Sequence, residues 1–155
     1  MLIRWLVLMC VLTSTSAFSA NDRTTIQFRK HVQERCGIEV LESAGELSLG
    51  HRYDGQTIRF KLTSNKKNGR LLFKLAHFDL GNLFGDVEES QVSFLLESPI
   101  RHEGNVDFWR QGVEIHSSLL RDASEVTISA RINVPEHRIP AGNIYINMEW
   151  GMECL

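Results

Sequence analysis

The strongest constraint on this chain is an alternation of apolar and polar residues with a period of two. Val126, Ile128, Ala130, Ile132 and Val134 alternate with Thr127, Ser129, Arg131 and Asn133. In an extended strand this puts one set of side chains on each face. Ile58, Phe60 and Leu62 alternate with Arg59 and Lys61 in the same way. Ile144, Ile146, Met148, Trp150 and Met152 repeat the pattern towards the C-terminus. Shorter segments of strand character are Thr25–Val32, Ile38–Leu41, Glu46–Leu49, Leu71–Ala76, Val92–Leu96, Val106–Trp109 and Val113–His116. Turn chemistry separates them: Asp54-Gly55, Asn68-Gly69, Gly81-Asn82, Gly85-Asp86, Glu103-Gly104 and Ala141-Gly142. Asn68 and Gly69 both tolerate positive φ, as a tight hairpin requires. No segment sustains a helical apolar stripe. Short strands separated by turns at intervals of about 8–12 residues predict a sandwich or barrel. The expected fold is all-β, an immunoglobulin-like antiparallel β-sandwich.

The first twenty residues have a different character. Arg4 is their one charge, an apolar run extends from Trp5 to Leu12, and the small polar stretch Thr13-Ser14-Thr15-Ser16-Ala17 follows. That order is the layout of a secretory signal. The apolar run is less than half of the roughly 20 residues a membrane-spanning helix needs, so no membrane insertion is expected after signal removal. Cleavage after Ala17 or after Ala20 fits; the polar Asn21-Asp22-Arg23 favours Ala20. Residues 1–20 are then the signal and 21–155 a single domain, the expectation for a chain of 155 residues. Cys10 leaves with the signal, which keeps two of the three cysteines, Cys36 and Cys154. In an exported chain such a pair reads as one disulfide, the alternative being two unrelated thiols.

Function classes narrow by what is missing. A formal net charge of −2 with both signs interspersed speaks against nucleic acid and against an anionic membrane surface. The six histidines, His31, His51, His77, His102, His116 and His137, show no ligand spacing. Nucleophile elbows and glycine-rich phosphate loops are absent as well. Met148 and Met152 fit a core face better than a soft-metal site. The chain is therefore read as non-enzymatic, with no cofactor and no metal.

Its two ends carry a more specific signal. The start of the expected mature chain runs Ile26-x-Phe28-x-x-x-Val32-x-x-x-Cys36-x-Ile38, and Leu49-Gly50 closes the second alternating segment. The C-terminus runs from Gly142, fourteenth from the end, through Ile144, Ile146, Met148, Trp150, Met152 and Cys154. Together these resemble the ends of the subunits of chaperone–usher fimbriae, the pilins. The resemblance implies an immunoglobulin-like sandwich that lacks its last strand, leaving a groove beside the C-terminal strand. A periplasmic chaperone, and then the arm of a neighbouring pilus subunit, would fill it by strand addition. The function implied is that of a structural fimbrial subunit in cell adhesion, with the periplasm as a way station to the cell surface. Gly142, Ile144, Ile146, Met148, Trp150 and Met152 would form the accepting strand, and Ile26 and Phe28 are candidate donor positions. The chain departs from the family in its second cysteine, which is Cys154, and in the short polar arm Asn21–Thr25. Either Ile26 and Phe28 serve as donors, or the subunit accepts a strand and donates poorly. The rival reading is a self-contained secreted β-sandwich binding module, an inhibitor or a glycan binder.

Overall fold

A computed structural model describes residues 27, 29–83, 85–121 and 124–155. The expected signal, both cleavage positions and the candidate donors Ile26 and Phe28 lie outside the described residues. Val32–Leu155 forms one compact unit. In chain order its elements are β1 (Cys36–Glu42), β2 (Leu47–Leu49), β3 (Ile58–Ser64), β4 (Arg70–Asp79), β5 (Val92–Leu96), β6 (His102–Asn105), α1 (Val106–Gln111), β7 (Val113–His116), β8 (Glu125–Ile132) and β9 (Asn147–Cys154).

The strands form two sheets packed face to face. One has the order β1-β3-β8-β5-β6, and the other β7-β4-β9. Every ladder is antiparallel except that of β2, which lies parallel to the end of β8. In immunoglobulin terms β1, β3, β8 and β5 take the places of strands A, B, E and D, while β4 and β9 take those of C and F. The expected all-β sandwich is therefore the fold.

Period-two alternation builds the core. On β4, Leu71, Phe73 and Leu75 point inward and are buried; a bulge between Leu75 and His77 then resets the parity so that Phe78 also faces the core. Opposite them stand Phe60 and Leu62 of β3, Phe94 and Leu96 of β5, and Val126, Ile128 and Ile132 of β8. At the centre the Phe73 ring stacks on Trp150 at 5.0 Å, and Trp109 and Phe94 meet Trp150 edge-on at 5.4 and 5.5 Å. Such pairs add to the area they bury. Outside the core, Arg131 lies over the Tyr53 ring at 4.8 Å and donates to Glu103 and to the His51 carbonyl. This ties the loop after β2 to β6 and β8. Burial there pushes the Tyr53 hydroxyl up to about 12.

Four expectations are corrected. Val106–Trp109 is not a strand but the body of α1. Asn105 caps it by accepting the Phe108 N–H at 3.0 Å, and Gly112 ends it at φ 83°. Trp109, fully buried, donates its indole N–H to the Phe94 carbonyl at 3.2 Å. Second, Asn68-Gly69 is not a hairpin turn, because β3 and β4 belong to different sheets and the connection crosses between them. Third, the last strand begins at Asn147, so Ile144 and Ile146 lie in an extended approach to it, not in the strand. Fourth, no strand runs through the described part of Thr25–Val32.

The pair Cys36 and Cys154 does form the disulfide, with Cα atoms 6.0 Å apart across a sequence separation of 118. It joins the first residue of β1 to the last of β9, and so staples one sheet to the other. A loop of that length costs the unfolded chain about 4–5 kcal/mol of closure entropy in the chain-entropy model. The Cys36→Ser/Cys154→Ser double variant is expected to lose about that much stability in urea unfolding, with a raised m-value as the unlinked unfolded chain exposes more surface.

Candidate strand-accepting groove

β9 pairs with β4 and with no other strand among the described residues. At its end Leu155 donates its N–H to the Arg70 carbonyl at 2.9 Å. Backbone groups alternate in direction along a strand, so Glu153 and Gly151 also address β4. The N–H and C=O groups of Trp150, Met152 and Cys154 then point to the other edge, where immunoglobulin strand G would lie.

The side chains of those same residues face inward, yet none reaches full burial. Met148, Trp150, Met152 and Cys154 are all half-buried against the core, as are Ile144 and Ile146 before them. A complete sandwich would cover such a row. The facing wall is β1, whose inward residues Cys36 and Ile38 are half-buried while Val40 is 61% exposed. The two walls meet at the Cys36–Cys154 disulfide and part from there on. Between them lies a groove of ≈ 710 Å³. Ile38 and Val40 of β1, Leu47 of β2, Ile58 and Phe60 of β3, and Ile128 and Ala130 of β8 form its floor and one wall; Ile144, Ile146, Met148 and Trp150 form the other.

Of the residues expected on the accepting strand, Ile144, Ile146, Met148 and Trp150 line the groove. Met152 lies on the same face nearer the disulfide, opposite Phe73. Gly142 stands apart from it. At φ 137° it occupies a conformation that favours glycine and turns the chain before the extended approach begins. Trp150 proves to be more than a groove residue, since its ring is the hub of the aromatic core. Its indole N–H is buried without a partner among the described residues. Sequence reasoning missed the β1 wall and the charged rim. The Cys36, Ile38, Val40 alternation was visible, but the sheet edge on which it would lie was not.

The rim is acidic. Glu42, Glu46 and Glu149 are among the residues that line the groove, and among the described residues no Lys or Arg does. Glu42 is paired with Arg59 at 3.2 Å. Glu46 and Glu149 form no ion pair among the described residues. His77, cross-strand from Glu149, also borders it. Among the described residues no three His, Cys, Asp or Glu side chains are placed to hold a metal ion, and no helix is long and apolar enough to cross a membrane. Geometrically the site is a strand edge with no neighbour among the described residues, beside a row of half-buried apolar side chains.

No protein-family model matches the sequence, and neither a curated protein nor a solved structure matches it.

A half-covered row carries less burial energy than a core row. Ile146→Ala and Met148→Ala are expected to cost about 1 kcal/mol each in urea unfolding of the isolated protein, against about 2–5 kcal/mol for Leu71→Ala.

Proposed function

We propose that this chain is a structural subunit of a surface fimbria of the chaperone–usher kind, exported through a cleaved signal and contributing to cell adhesion. In this reading the groove between β1 and β9 takes a strand from a periplasmic chaperone first, and from a neighbouring subunit in the fibre afterwards. The observation that carries it is the free edge of β9 beside an open apolar groove. A long apolar edge is normally an aggregation hazard that proteins blunt with charge, proline or cover. Here Trp150, Met152 and Cys154 turn their backbone groups to that edge, and the half-buried row beneath them waits for alternating side chains. Strand addition supplies both at once, main-chain hydrogen bonds for affinity and pockets for register. The Cys36–Cys154 disulfide fits an oxidising route of export. It also fixes the walls of the groove before any partner arrives.

The test is capture. Tagged protein recovered from the periplasm of its own host and sized by gel filtration is expected to carry a one-to-one chaperone, or to form multimers that resist SDS until boiled. Trp150 is a poor place to break the groove because its ring holds the core together. Ile146→Asp, at the groove wall and outside the strand, is expected to abolish capture while the protein still unfolds cooperatively. A wild-type protein that emerges as a lone monomer would sink the fimbrial reading in favour of a self-contained module.

A further inference from the structure

The Asn68-Gly69 pair that does not form a hairpin turn has a chemistry of its own. Neither residue takes a positive φ, so glycine is not there for backbone freedom. It is there for room. A Cβ at position 69 would run into Cδ and Cε of Lys66. That side chain is pinned at its far end, where the ammonium donates to the Leu155 carbonyl at 2.7 Å and pairs with Glu34 at 3.1 Å. The close approach of the Lys66 stem therefore favours a residue without a side chain.

A glycine after an asparagine has a second consequence. No Cβ on Gly69 hinders its backbone nitrogen, and Asn68 before it is exposed on a bend. Attack of that nitrogen on Cγ of Asn68 forms a C–N bond and closes a succinimide ring. The side-chain nitrogen leaves as ammonia, taking up the proton that Gly69 gives up, and solvent water then opens the ring. Opening at one carbonyl yields aspartate. Opening at the other yields isoaspartate, in which the main chain runs through the side-chain carbon. The sum is asparagine plus water to aspartate or isoaspartate plus ammonia, with nothing oxidised or reduced.

In the folded chain the Gly69 nitrogen is not free. It donates its N–H to the Ser117 hydroxyl at 2.9 Å, and the Ser117 N–H returns a bond to the Gly69 carbonyl at 2.9 Å. Ser117 follows β7 directly and is 5% exposed, so the clamp is anchored in the sandwich. The strand before it is paired to β4, with His116 opposite Arg70. Ring closure needs the Gly69 N–H released and its peptide plane turned, and the two Ser117 bonds oppose both.

We propose that Asn68 is a self-modifying site, converting to aspartate and isoaspartate without an enzyme, and that the Ser117 hydroxyl is the gate that holds the conversion back while the chain is folded. Water is the one co-substrate, and the site is independent of whether the groove takes a strand. The product changes a junction of the fold. A new carboxylate appears beside Lys66, Lys67 and Arg70 in the chain, and the isoaspartyl form adds one carbon to the main chain just before β4. There the Gly69 carbonyl holds the Ser117 N–H, and the next carbonyl, that of Arg70, holds the Leu155 N–H at 2.9 Å.

The test is the rate of conversion. Purified wild-type protein, Ser117→Ala and Val126→Ala are each checked for cooperative unfolding in urea and then held in warm, mildly alkaline buffer. The fragment that spans residue 68 is followed by mass spectrometry. Ser117→Ala is expected to convert about fivefold faster than folded wild type, the weight of one net hydrogen bond. Wild type kept unfolded in urea is expected to convert faster than either folded protein. Val126→Ala weakens the core from β8, in the other sheet, and is expected to match wild type, which separates a local gate from general loosening. Three results would each overturn the proposal: Ser117→Ala converting no faster than wild type, Val126→Ala accelerating as much as Ser117→Ala, or folded wild type converting as fast as unfolded.

Discussion

Among the described residues β9 is paired along one edge only, and much of what distinguishes this sandwich follows from that. Buried backbone N–H and C=O groups require partners, so an edge without a strand beside it must stay open to water. Water at the edge keeps the side chains beneath it from closing into the core. Ile144, Ile146, Met148, Trp150, Met152 and Cys154 accordingly stop at half-burial, whereas Leu71 and Phe73 on the neighbouring strand are fully enclosed. The groove is the visible form of this deficit. Its apolar row is also its function in the reading proposed here, because the energy withheld from folding remains for association.

Two interactions tie β9 to the rest of the sandwich. The Cys36–Cys154 disulfide holds the free ends of β1 and β9 together, where an intact sandwich would rely on strand G to bridge them. The aromatic cluster does the same from inside. Trp150 is on the open strand, yet its ring stacks on Phe73 and meets Trp109 and Phe94 edge-on, anchoring the middle of β9 in the core while the outer edge of its backbone stays free. Covalent closure at one end and aromatic anchorage at the centre leave the Ile144–Ile146 approach and Val40 as the parts where the walls diverge.

Much of this was legible in the sequence because period-two alternation is a local signal. It marked β3, β4, β5, β7, β8 and β9 and the apolar row on the last strand, and the expectation of export turned two distant cysteines into an expected disulfide. The failures were of another kind. The α1 turn carries only Val106 and Trp109 on its inner face, too few to show a helical period, and the signal lay instead in Asn105 at its start and Gly112 at its end. Asn68-Gly69 has hairpin chemistry, but which sheet each flanking strand joins is decided by long-range pairing that no dipeptide encodes. Ile144 and Ile146 continue the alternation of β9 without its hydrogen bonds, since pattern reports the face a residue shows and not whether its backbone is paired. The acidic rim brings Glu46 and Glu149 together from more than a hundred residues apart, and only the pairing of β4 with β9 and of β2 with β8 places them on one groove.

Amide hydrogen exchange along β9 measures the central claim, an open strand edge, most directly. In the isolated protein the N–H groups of Trp150, Met152 and Cys154 are expected to exchange on the order of 100-fold faster than those of Gly151 and Glu153, which are held by β4. On assembly with a donor strand the two sets should become equally slow. Equal protection along β9 in the lone monomer would mean that its outer edge is already paired within the same chain, and the account of an accepting groove would be wrong.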